Sequence, residues 1–330
     1  MTALVTGAAG FVGSAVVRQL LARGETVRVF IRPSSDRRNL EGLRLDVVTG
    51  DLTDRQSVER AVQGCDSVFH IAADYRLWVP KPAAMFAANV EGTRHIMQAA
   101  AAAGVRRIVY TSSVATLGLP ADELQPADED TPATADDMIG PYKQSKYAAE
   151  AVVKRLIEDQ GLPVVIVHPS TPIGPRDSKP TPTGKIVVDA ARGRMPAFVD
   201  TGLNVVHVDD VAAGHLLAMD RGRIGERYIL GSENLTLAQI LAIVAKLTHR
   251  PAPRFQIPHD VVMPIAGLAE VWARVTGGEP FATRDGVRLA RKKMYFSSDR
   301  AMSRLGYKPR PAEAALADAV DWFSRNGYLH

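Results

Sequence analysis

Tyr142 and Lys146 are the residues whose types and spacing most directly suggest chemistry. They lie four positions apart, so a helix would place both side chains on one face, one turn apart. A free phenol has a pKa of about 10 and is a poor base at neutral pH, but a neighbouring ammonium stabilises the phenolate. The pair could therefore give or take the proton of an oxygen atom. Hydroxyls that could share that oxygen stand at Ser112 and Ser113, after an apolar run.

A glycine-rich segment opens the chain. Gly7, Gly10 and Gly13 follow an apolar run directly and precede a helical pattern. In that context glycines allow a tight turn, close approach of the backbone to a pyrophosphate and close helix packing, while the helix N-terminus presents free N–H groups. We therefore expect a dinucleotide phosphate site, and we include Phe11 and Val12 in it.

Arg32 ends the second apolar run, where an NAD site commonly carries an acidic residue for the ribose hydroxyl. A guanidinium can instead pair with a 2′-phosphate and stack on the adenine. The sequence therefore favours NADP(H) as the cofactor. NAD stays open, because Arg32 could also be a solvated charge at the end of a strand.

The elements that must position these residues alternate between short apolar runs and amphipathic segments. Strands are expected at residues 3–5, 26–31, 46–48, 67–70, 107–111, 163–167, 205–208 and 226–230. Helices are expected to follow the glycines up to Gly24 and to occupy residues 89–103, 142–158, 209–219, 237–247, 261–276 and 312–326. This order predicts an α/β fold with a doubly wound parallel sheet of the Rossmann type, followed by a smaller, mostly helical C-terminal region that binds substrate.

The expected domains are discontinuous. The composition changes to Pro, Thr and Gly between residues 169 and 184, which marks the start of a second region. Residues 205–208 and 226–230 look like strands that return to the sheet. We therefore predict an NADP-binding Rossmann domain of residues 1–168 plus 205–232, and a substrate-binding region of residues 169–204 plus 233–330.

Composition excludes several classes of protein. The 330 residues are 46% hydrophobic and 23% charged, which excludes a disordered chain, and the net charge of +4 does not indicate nucleic-acid binding. Cys65 is the only cysteine and residues 1–10 lack a secretory pattern, so we expect a cytoplasmic protein. Residues 257–275 cannot span a membrane but could pack in a core, line an apolar pocket or lie against a membrane surface. No metal is expected, because three histidines near strands lack partners at ligand spacing: His70, His168 and His207.

Together these motifs resemble the extended short-chain dehydrogenases/reductases, the superfamily of NAD-dependent epimerases, dehydratases and dihydroflavonol reductases, over essentially the whole chain. The resemblance implies that Ser113, rather than Ser112, is catalytic together with Tyr142 and Lys146. It implies hydride exchange between C4 of a nicotinamide and a carbonyl or alcohol carbon, with Tyr142 moving the proton, Ser113 hydrogen-bonding the oxygen and Lys146 holding the ribose. It also implies cofactor contacts at Asp51, Leu52, Ala72, Ala73, Asn89, Thr111 and Pro169.

Residues 73–80, 111–120 and 179–204 more narrowly resemble the bacterial hopanoid-associated sugar epimerase group, which is close to the dihydroflavonol reductases. The asparagine that meets a nucleotide-sugar in many epimerases is missing from residues 168–175. Reduction of an aldehyde or ketone with NADPH is therefore our first interpretation. The resemblance suggests a small-molecule substrate, a polyol-bearing or lipid-linked isoprenoid. Candidate substrate contacts are Asp74, Tyr75, Arg76, Trp78, Ser170, Thr171, Lys179, Thr181, Thr183 and Asp200.

Other functions stay open. A nucleotide-sugar epimerase would oxidise its substrate transiently with a retained NAD, and a non-catalytic NADP-binding sensor would normally lack the tyrosine or the lysine. A dehydratase that uses Glu129 and Asp130 ranks below both, because the surrounding segment is typical of a solvated loop. The resemblance also implies a homodimer that pairs the helices at residues 89–103 and 142–158.

Overall fold

A parallel sheet of seven strands forms the centre of the molecule in a computed structural model that describes residues 1–329. Its strands are β1 (Thr2–Thr6), β2 (Thr26–Ile31), β3 (Asp46–Thr49), β4 (Ser67–His70), β5 (Arg107–Thr111), β6 (Val164–Pro169) and β10 (Arg227–Leu230). They lie in the order β10-β6-β5-β4-β1-β2-β3, and every neighbouring pair is parallel. The predicted sheet is therefore confirmed, and the ligand crevice lies at the carboxyl ends of the central strands.

Helices cover both faces of this sheet. On one face, α1 (Phe11–Ala22), α7 (Val208–Arg221) and α11 (Asp299–Leu305) contribute to one apolar core. On the other face, α2 (Arg55–Val62), α4 (Gly92–Ala102) and α5 (Gly140–Gln160) contribute to a second core, and the short α3 (Ala83–Phe86) precedes α4. Burial on both faces explains why the strands are nearly continuous apolar runs rather than alternating ones. The doubly wound arrangement predicted from the sequence is confirmed.

A second region follows β6 and carries its own small sheet. Strands β7 (Thr171–Ile173), β11 (Glu233–Thr236) and β13 (Lys293–Met294) all pair with β9 (Gly202–His207), while β8 (Ala197–Phe198) pairs with β12 (Phe255–Gln256). The helices are α6 (Pro182–Ala191), α8 (Leu237–Thr248), α9 (His259–Thr276), α10 (Arg284–Ala290) and α12 (Ala312–Arg325). A separate apolar core joins α6, α8, α12 and β9. The region is mostly helical, as predicted.

The strand expected at residues 205–208 does not join the main sheet. Residues 202–207 form β9 of the small sheet, and only the strand expected at 226–230 returns to the main sheet. The physical reason is that β10 occupies the free edge of β6, where Ile229 pairs with His168. The chain nevertheless returns to the nucleotide-binding side directly after β9, because α7 packs against α1.

Helix α9 presents its large apolar side chains outward. Leu268 and Trp272 are 72% and 71% exposed, whereas the buried residues of this helix are small: Ala266, Gly267, Ala269 and Ala273. Core packing of this segment, one of the three interpretations from the sequence, is therefore wrong for its largest side chains. Among residues 1–329, no helix has the length and apolar character needed to cross a bilayer.

Candidate active site

The glycine segment forms a tight turn between β1 and α1. Gly7 has a φ of +67°, and a Cβ there would stand 2.7 Å from the backbone nitrogen of Ala72. A Cβ on Gly13 would collide with the carbonyl oxygen of Gly7, while the Gly10 N–H donates to that same oxygen at 2.9 Å. Only glycine fits these positions without displacing backbone.

The N-terminus of α1 is open to an anion. Helix α1 begins at Phe11, no side chain caps it at Gly10, and its first turn contains no acidic residue. The N–H groups of a first helical turn have no partner inside the helix, and together with the helix dipole they favour a phosphate. The segment around Phe11 and Val12 therefore fits the pyrophosphate of a dinucleotide.

Arg32 stands at the carboxyl end of β2 with a free guanidinium. Its side chain is exposed and has no hydrogen-bond or ion-pair partner within residues 1–329. Asp51 lies close enough for the Arg32 charge to lower its pKa, although hydrogen bonds from the Thr53 N–H and hydroxyl are the larger cause. Leu52, next to Asp51, is half-buried and contacts the side of α4. This corner of the crevice can offer one unpaired cation to an anionic ligand.

Ser113, Tyr142 and Lys146 meet at the carboxyl end of β5. Burial raises the pKa of the Tyr142 phenol, and the Ser113 hydroxyl lies close enough to lower it in part. Lys146 donates to the carbonyl oxygen of Thr111 at 2.8 Å, and its Nζ lies 5.0 Å from the ring centre of Tyr110. Burial lowers the pKa of Lys146 to about 8. The ammonium contacts the end of β5 rather than the phenol itself.

A buried carboxylate fixes helix α5 against β5 and β6. Glu150 accepts from Ser112 Oγ at 2.5 Å and from Thr116 Oγ1 and His168 Nε2 at 2.9 Å each. The His168 interaction is the main cause that holds the pKa of Glu150 well below its usual range, against the opposing effect of burial. Ser112 is thus occupied, which leaves Ser113 as the hydroxyl that faces Tyr142.

Asn89 connects helix α5 to the loop that follows β4. It lies in a π-helical turn, Ala87–Glu91, in a segment for which the sequence predicted regular helix. Its side chain exchanges hydrogen bonds with the backbone N–H and carbonyl of Asp74, at 2.7 and 2.9 Å, and donates to Ser145 Oγ at 2.9 Å. Single π turns are common at functional sites. Asn89 therefore acts here as a support for the loop.

Small residues line the crevice where β4 and β6 end. Ala72 donates its N–H to Thr6 Oγ1 at 3.2 Å, and Ala72 and Ala73 are both half-buried. Pro169 is the last residue of β6, and the Oγ of Ser170 after it is buried without a hydrogen-bond partner in the described part of the chain. A buried hydroxyl without a partner fits a site that a ligand completes. The residues present therefore fit a bound dinucleotide.

The loop after β4 carries four of the candidate substrate contacts. Asp74 pairs with Arg76 at 2.5 Å, and Tyr75 is 46% exposed. Trp78 is half-buried, with the Arg274 guanidinium of α9 lying 5.7 Å from its ring centre. The structure thus places this loop between the end of β4 and helix α9.

The remaining substrate candidates do not gather at one place. Thr171 opens β7 beside the end of β6, and Asp200 lies 3.9 Å from Lys293 at the start of β13. Lys179 lies 4.0 Å from Asp36, in the loop after β2, on the same side of the crevice as Arg32. Lys179 stays a predicted substrate contact.

Thr181 and Thr183 begin helix α6. The Thr181 hydroxyl accepts from Gly184 N at 3.1 Å and donates to Asp177 at 2.8 Å, and Thr183 lies 3.4 Å from it. Burial raises the pKa of Asp177 to about 6. Thr181 is therefore the N-cap of α6, and Thr183 lies in the first turn beside it.

Glu129 is buried, contrary to the solvated loop expected from its sequence context. It accepts from the Ile229 N–H at 2.7 Å and lies 3.5 Å from Arg300, while burial raises its pKa. Asp130 pairs with the same arginine. These contacts attach the loop to β10, the edge strand.

The three histidines near strands have separate partners. His70 bonds Thr6 and Thr93, His168 bonds Glu150, and His207 lies 3.0 Å from Asp318. Burial lowers the pKa of His70 to about 3, so its ring is neutral at physiological pH. Within residues 1–329, no group of three His, Cys, Asp or Glu side chains could hold a metal ion.

Two residues of the site were missed from the sequence. Tyr110, in the middle of β5, stacks on His70 at 5.8 Å and supports Lys146, but nothing distinguishes it from a core residue in the sequence. Lys143 follows Tyr142 and is buried beside Met294 of β13. Successive side chains on a helix point about 100° apart, so Lys143 cannot face the same way as Tyr142. This difference was the only sign in the sequence that Lys143 faces the second region.

Cofactor affinity should depend on the charge of Lys146. Because its pKa is lowered to about 8, Lys146 loses its positive charge as the pH rises through that value, and a neutral amine donates a weaker hydrogen bond to a ribose hydroxyl than an ammonium does. The Kd for the oxidised cofactor, measured by fluorescence titration, should rise above pH 8 in the wild type but not in Lys146→Arg, since arginine stays charged. A constant wild-type Kd from pH 7 to about 9.5 would contradict this role.

Comparison with known proteins agrees with this arrangement. The sequence profile of the NAD dependent epimerase/dehydratase family matches residues 3–231. A Synechocystis sp. protein, provisionally named dihydroflavonol 4-reductase, is 46% identical over 98% of this chain and 95% of its own length. Sterol demethylase protein B of Methylococcus capsulatus is 39% identical, over 100% of both chains. The crystal structure of gox2253 matches with a TM-score of 0.90 and 51% identity, covering 100% of this chain and 99% of that one.

The fold and the site define a nucleotide-dependent enzyme of the extended short-chain dehydrogenase/reductase type that acts on a small molecule. This chain belongs to the NAD dependent epimerase/dehydratase family. The family predicted from the sequence is therefore confirmed, including its resemblance to dihydroflavonol reductases. Use of an NAD(P) cofactor, which is general in this family, is confirmed as well.

Proposed function

We propose that this enzyme reduces an aldehyde or ketone with NADPH. The observation that carries the proposal is that Ser113 and Tyr142 lie together at the carboxyl end of β5, where the glycine turn and an unpaired Arg32 flank the same crevice. Catalytic groups on neighbouring strand ends of a doubly wound sheet converge on a ligand bound there. The three residues Ser113, Tyr142 and Lys146 are assigned as catalytic on this basis.

In the proposed mechanism the chain supplies the proton and the charge stabilisation. The bound nicotinamide supplies a hydride. Tyr142 gives its phenolic proton to the carbonyl oxygen of the substrate, and the raised pKa of this buried phenol keeps it protonated at neutral pH. Ser113 donates to the same oxygen as negative charge develops there, and Lys146 holds the nicotinamide ribose. Thr111, Asn89 and Pro169 position these groups.

Arg32 supports NADP(H) over NAD. An exposed guanidinium without a partner at the end of β2 can form a charge-assisted pair with a 2′-phosphate. Asp51 and Leu52 would border the adenine. NAD, retained through two half-reactions of an epimerase, is the second candidate, because the family profile is that of NAD dependent epimerases and dehydratases. A non-catalytic NADP-binding sensor is the third.

The substrate that we propose is a carbonyl derivative of an isoprenoid lipid or lipid-linked polyol, in hopanoid or related metabolism. Two relatives support this proposal by their names, which refer to reduction of a dihydroflavonol and to demethylation of a sterol. Contacts are proposed from the loop after β4 and from the start of β7, where Ser170 has a free buried hydroxyl.

Isotope transfer tests the proposed reaction. NADPH that carries deuterium at C4 should transfer it to the carbinol carbon of the product when aldehydes and ketones, including isoprenoid ones, are supplied to the wild-type enzyme. Mass spectrometry of the product measures the transfer. An enzyme that converts nucleotide-sugars without added cofactor and transfers no label to product would establish the epimerase instead.

We also propose that α9 lies on an anionic membrane surface. Its exposed stripe of Val261, Ile265, Leu268, Trp272 and Val275 recurs every three or four residues, as in helices that lie in a membrane interface. Residues 250–293 contain eight Lys or Arg and four Asp or Glu, an excess that equals the net charge of +4 of the whole chain. Basic charge around an apolar helix face suits anionic lipid.

Vesicle flotation tests the α9 surface. Wild-type protein should float with vesicles of phosphatidylcholine and phosphatidylglycerol, and Trp272→Glu should reduce the bound fraction several-fold because burying one large apolar side chain contributes about 1.5–3 kcal/mol. Leu124→Glu, at an equally exposed leucine elsewhere, is the matched control. Equal vesicle binding by all three proteins would contradict the proposal that α9 binds membranes. A wild-type protein that self-associates through α9 without binding vesicles would contradict it as well.

We further propose a cytoplasmic homodimer built on α4 and α5. A groove between these helices is lined by Val90, Arg94, Ala148, Val152 and Arg155. We propose the division into residues 1–168 plus 205–232 and residues 169–204 plus 233–330, except that residues 205–207, the end of β9, pair in the small sheet of the second region. Light scattering after gel filtration measures the mass that decides the oligomeric state.

A further inference from the structure

Lys143 is a buried cation without an anionic partner. It lies in the first turn of α5, directly after Tyr142, and only 8% of it is exposed. Its sole hydrogen-bond contact in the described part of the chain is the Met294 sulfur at 3.9 Å, a weak acceptor. An ammonium removed from water costs free energy unless it is paired. The folded protein therefore holds a charge that a ligand could compensate.

The charges around Lys143 compensate it only in part: Asp137 raises its pKa, but burial and Lys292 lower it by more. Burial is the larger cause that lowers the pKa of Lys143, and Lys292, between α10 and β13, adds a second positive charge close enough to lower it further. Asp137 is the neighbouring carboxylate, but it accepts from both the N–H and the hydroxyl of Thr134, at 2.8 Å each, and forms no ion pair with either lysine. The N-terminus of α5, which no side chain caps, adds a partial positive charge, and the Asp285 carboxylate of α10 lies beside Gly140 at that terminus.

We propose that Lys143 and Lys292 bind an anionic oxygen group of the substrate, a phosphate or a carboxylate, between α5 and β13. The position follows from the contact of Lys143 with Met294 and from its place next to Tyr142 on the same helix. An anion held there would fix the substrate relative to the phenol, on the side of the second region. The inference rests on the proposed function in one respect: the anion is taken to be part of the substrate that the enzyme reduces.

Anion-dependent stability tests the site without any need for turnover. Thermal unfolding of the protein is measured with saturating NADP⁺, which fills the cofactor's phosphate sites, at constant ionic strength with inorganic phosphate or with acetate. A ligand that binds only the folded state raises its stability. Phosphate should raise the wild-type Tm if the site takes a phosphoryl group, and acetate should do so if it takes a carboxylate.

Lys143→Met keeps most of the side-chain volume and removes the charge. This variant should lose the anion-dependent rise in Tm and, without anion, should be at least as stable as the wild type because no unpaired charge is buried. Lys308→Met, at an exposed lysine, should respond as the wild type does. If Lys143→Met does not fold, Lys292→Met provides the test, since this half-buried lysine should contribute several-fold to anion affinity.

The same rise in Tm in Lys143→Met as in the wild type would overturn the proposal. So would a wild-type protein that neither phosphate nor acetate stabilises. These outcomes are separate from those of the proposed reaction, because an enzyme inactive as a reductase could still show the anion site, and an active reductase could lack it.

Discussion

Replacing Tyr142 by phenylalanine should lower kcat for carbonyl reduction by about 10²- to 10⁴-fold, the usual contribution of a positioned proton donor. The Kd for NADP⁺ should change little, because the phenylalanine ring keeps the packing of α5 and loses only the hydroxyl beside Ser113. Steady-state kinetics with NADPH and a direct cofactor titration measure the two quantities.

A second tyrosine on the same helix provides a matched control. Tyr147 donates its hydroxyl to the Ala133 carbonyl at 3.2 Å and has no contact with the proposed centre. Tyr147→Phe removes the same atom and should keep nearly full activity. If Tyr142→Phe retained most of the wild-type kcat, Tyr142 would not be the proton donor, and the sensor interpretation would gain support.

Replacing Arg32 by glutamate should reverse the cofactor preference. Loss of a charge-assisted pair with the 2′-phosphate should weaken NADP⁺ binding by about 10- to 100-fold, as expected for a hydrogen bond to a charged group worth about 1.5–3 kcal/mol. The new carboxylate can accept from the ribose hydroxyls of NAD⁺, so its Kd should fall. Fluorescence titration with each cofactor measures both changes.

Arg44→Glu is the control for net charge, because this exposed arginine differs from Arg32 in position but undergoes the same change of charge. It should leave both dissociation constants within a factor of about two at moderate salt, where distant exposed charges are screened. Equal effects of the two substitutions would mean that Arg32 acts only through the overall charge.

The sequence predicted those parts of the fold that depend on local pattern. The strands of the main sheet are apolar runs flanked by amphipathic helices, and that alternation has few solutions other than a doubly wound sheet. Residues 205–208 have the same apolar pattern, yet β9 pairs in the small sheet. Pattern identifies a strand but not its partner, which here depended on β10 taking the edge of β6.

The site was predictable where chemistry requires one residue type at one spacing. The three glycines, Tyr142 and Lys146 are of this kind. The contact of Lys146 with Thr111 and Tyr110 could not be predicted, because it depends on how far α5 lies from β5. The burial of Glu129 was not predictable either, since its acidic neighbours are typical of a solvated loop, while its partners Ile229 in β10 and Arg300 in α11 are distant in sequence.

The outward face of α9 shows another limit of prediction from sequence. Its hydrophobic periodicity is that of an ordinary amphipathic helix, which normally buries the large residues. In this protein the small residues face inward against α10, and Leu268 and Trp272 face outward. Periodicity shows that a helix has one face of large apolar residues and another of small ones. Which of the two faces is buried depends on the shape of the neighbouring helix.

Titration of the purified wild-type enzyme with NADP⁺ and with NAD⁺ separately, followed by analysis of the cofactor that survives desalting, tests the central claim most directly. We expect exchangeable NADP⁺ to bind at least about tenfold more tightly than NAD⁺, a difference of about 1.4 kcal/mol, and no cofactor to remain after desalting. NAD that stays bound through desalting would contradict the reductase proposal and make internal oxidation and reduction by an epimerase the better account.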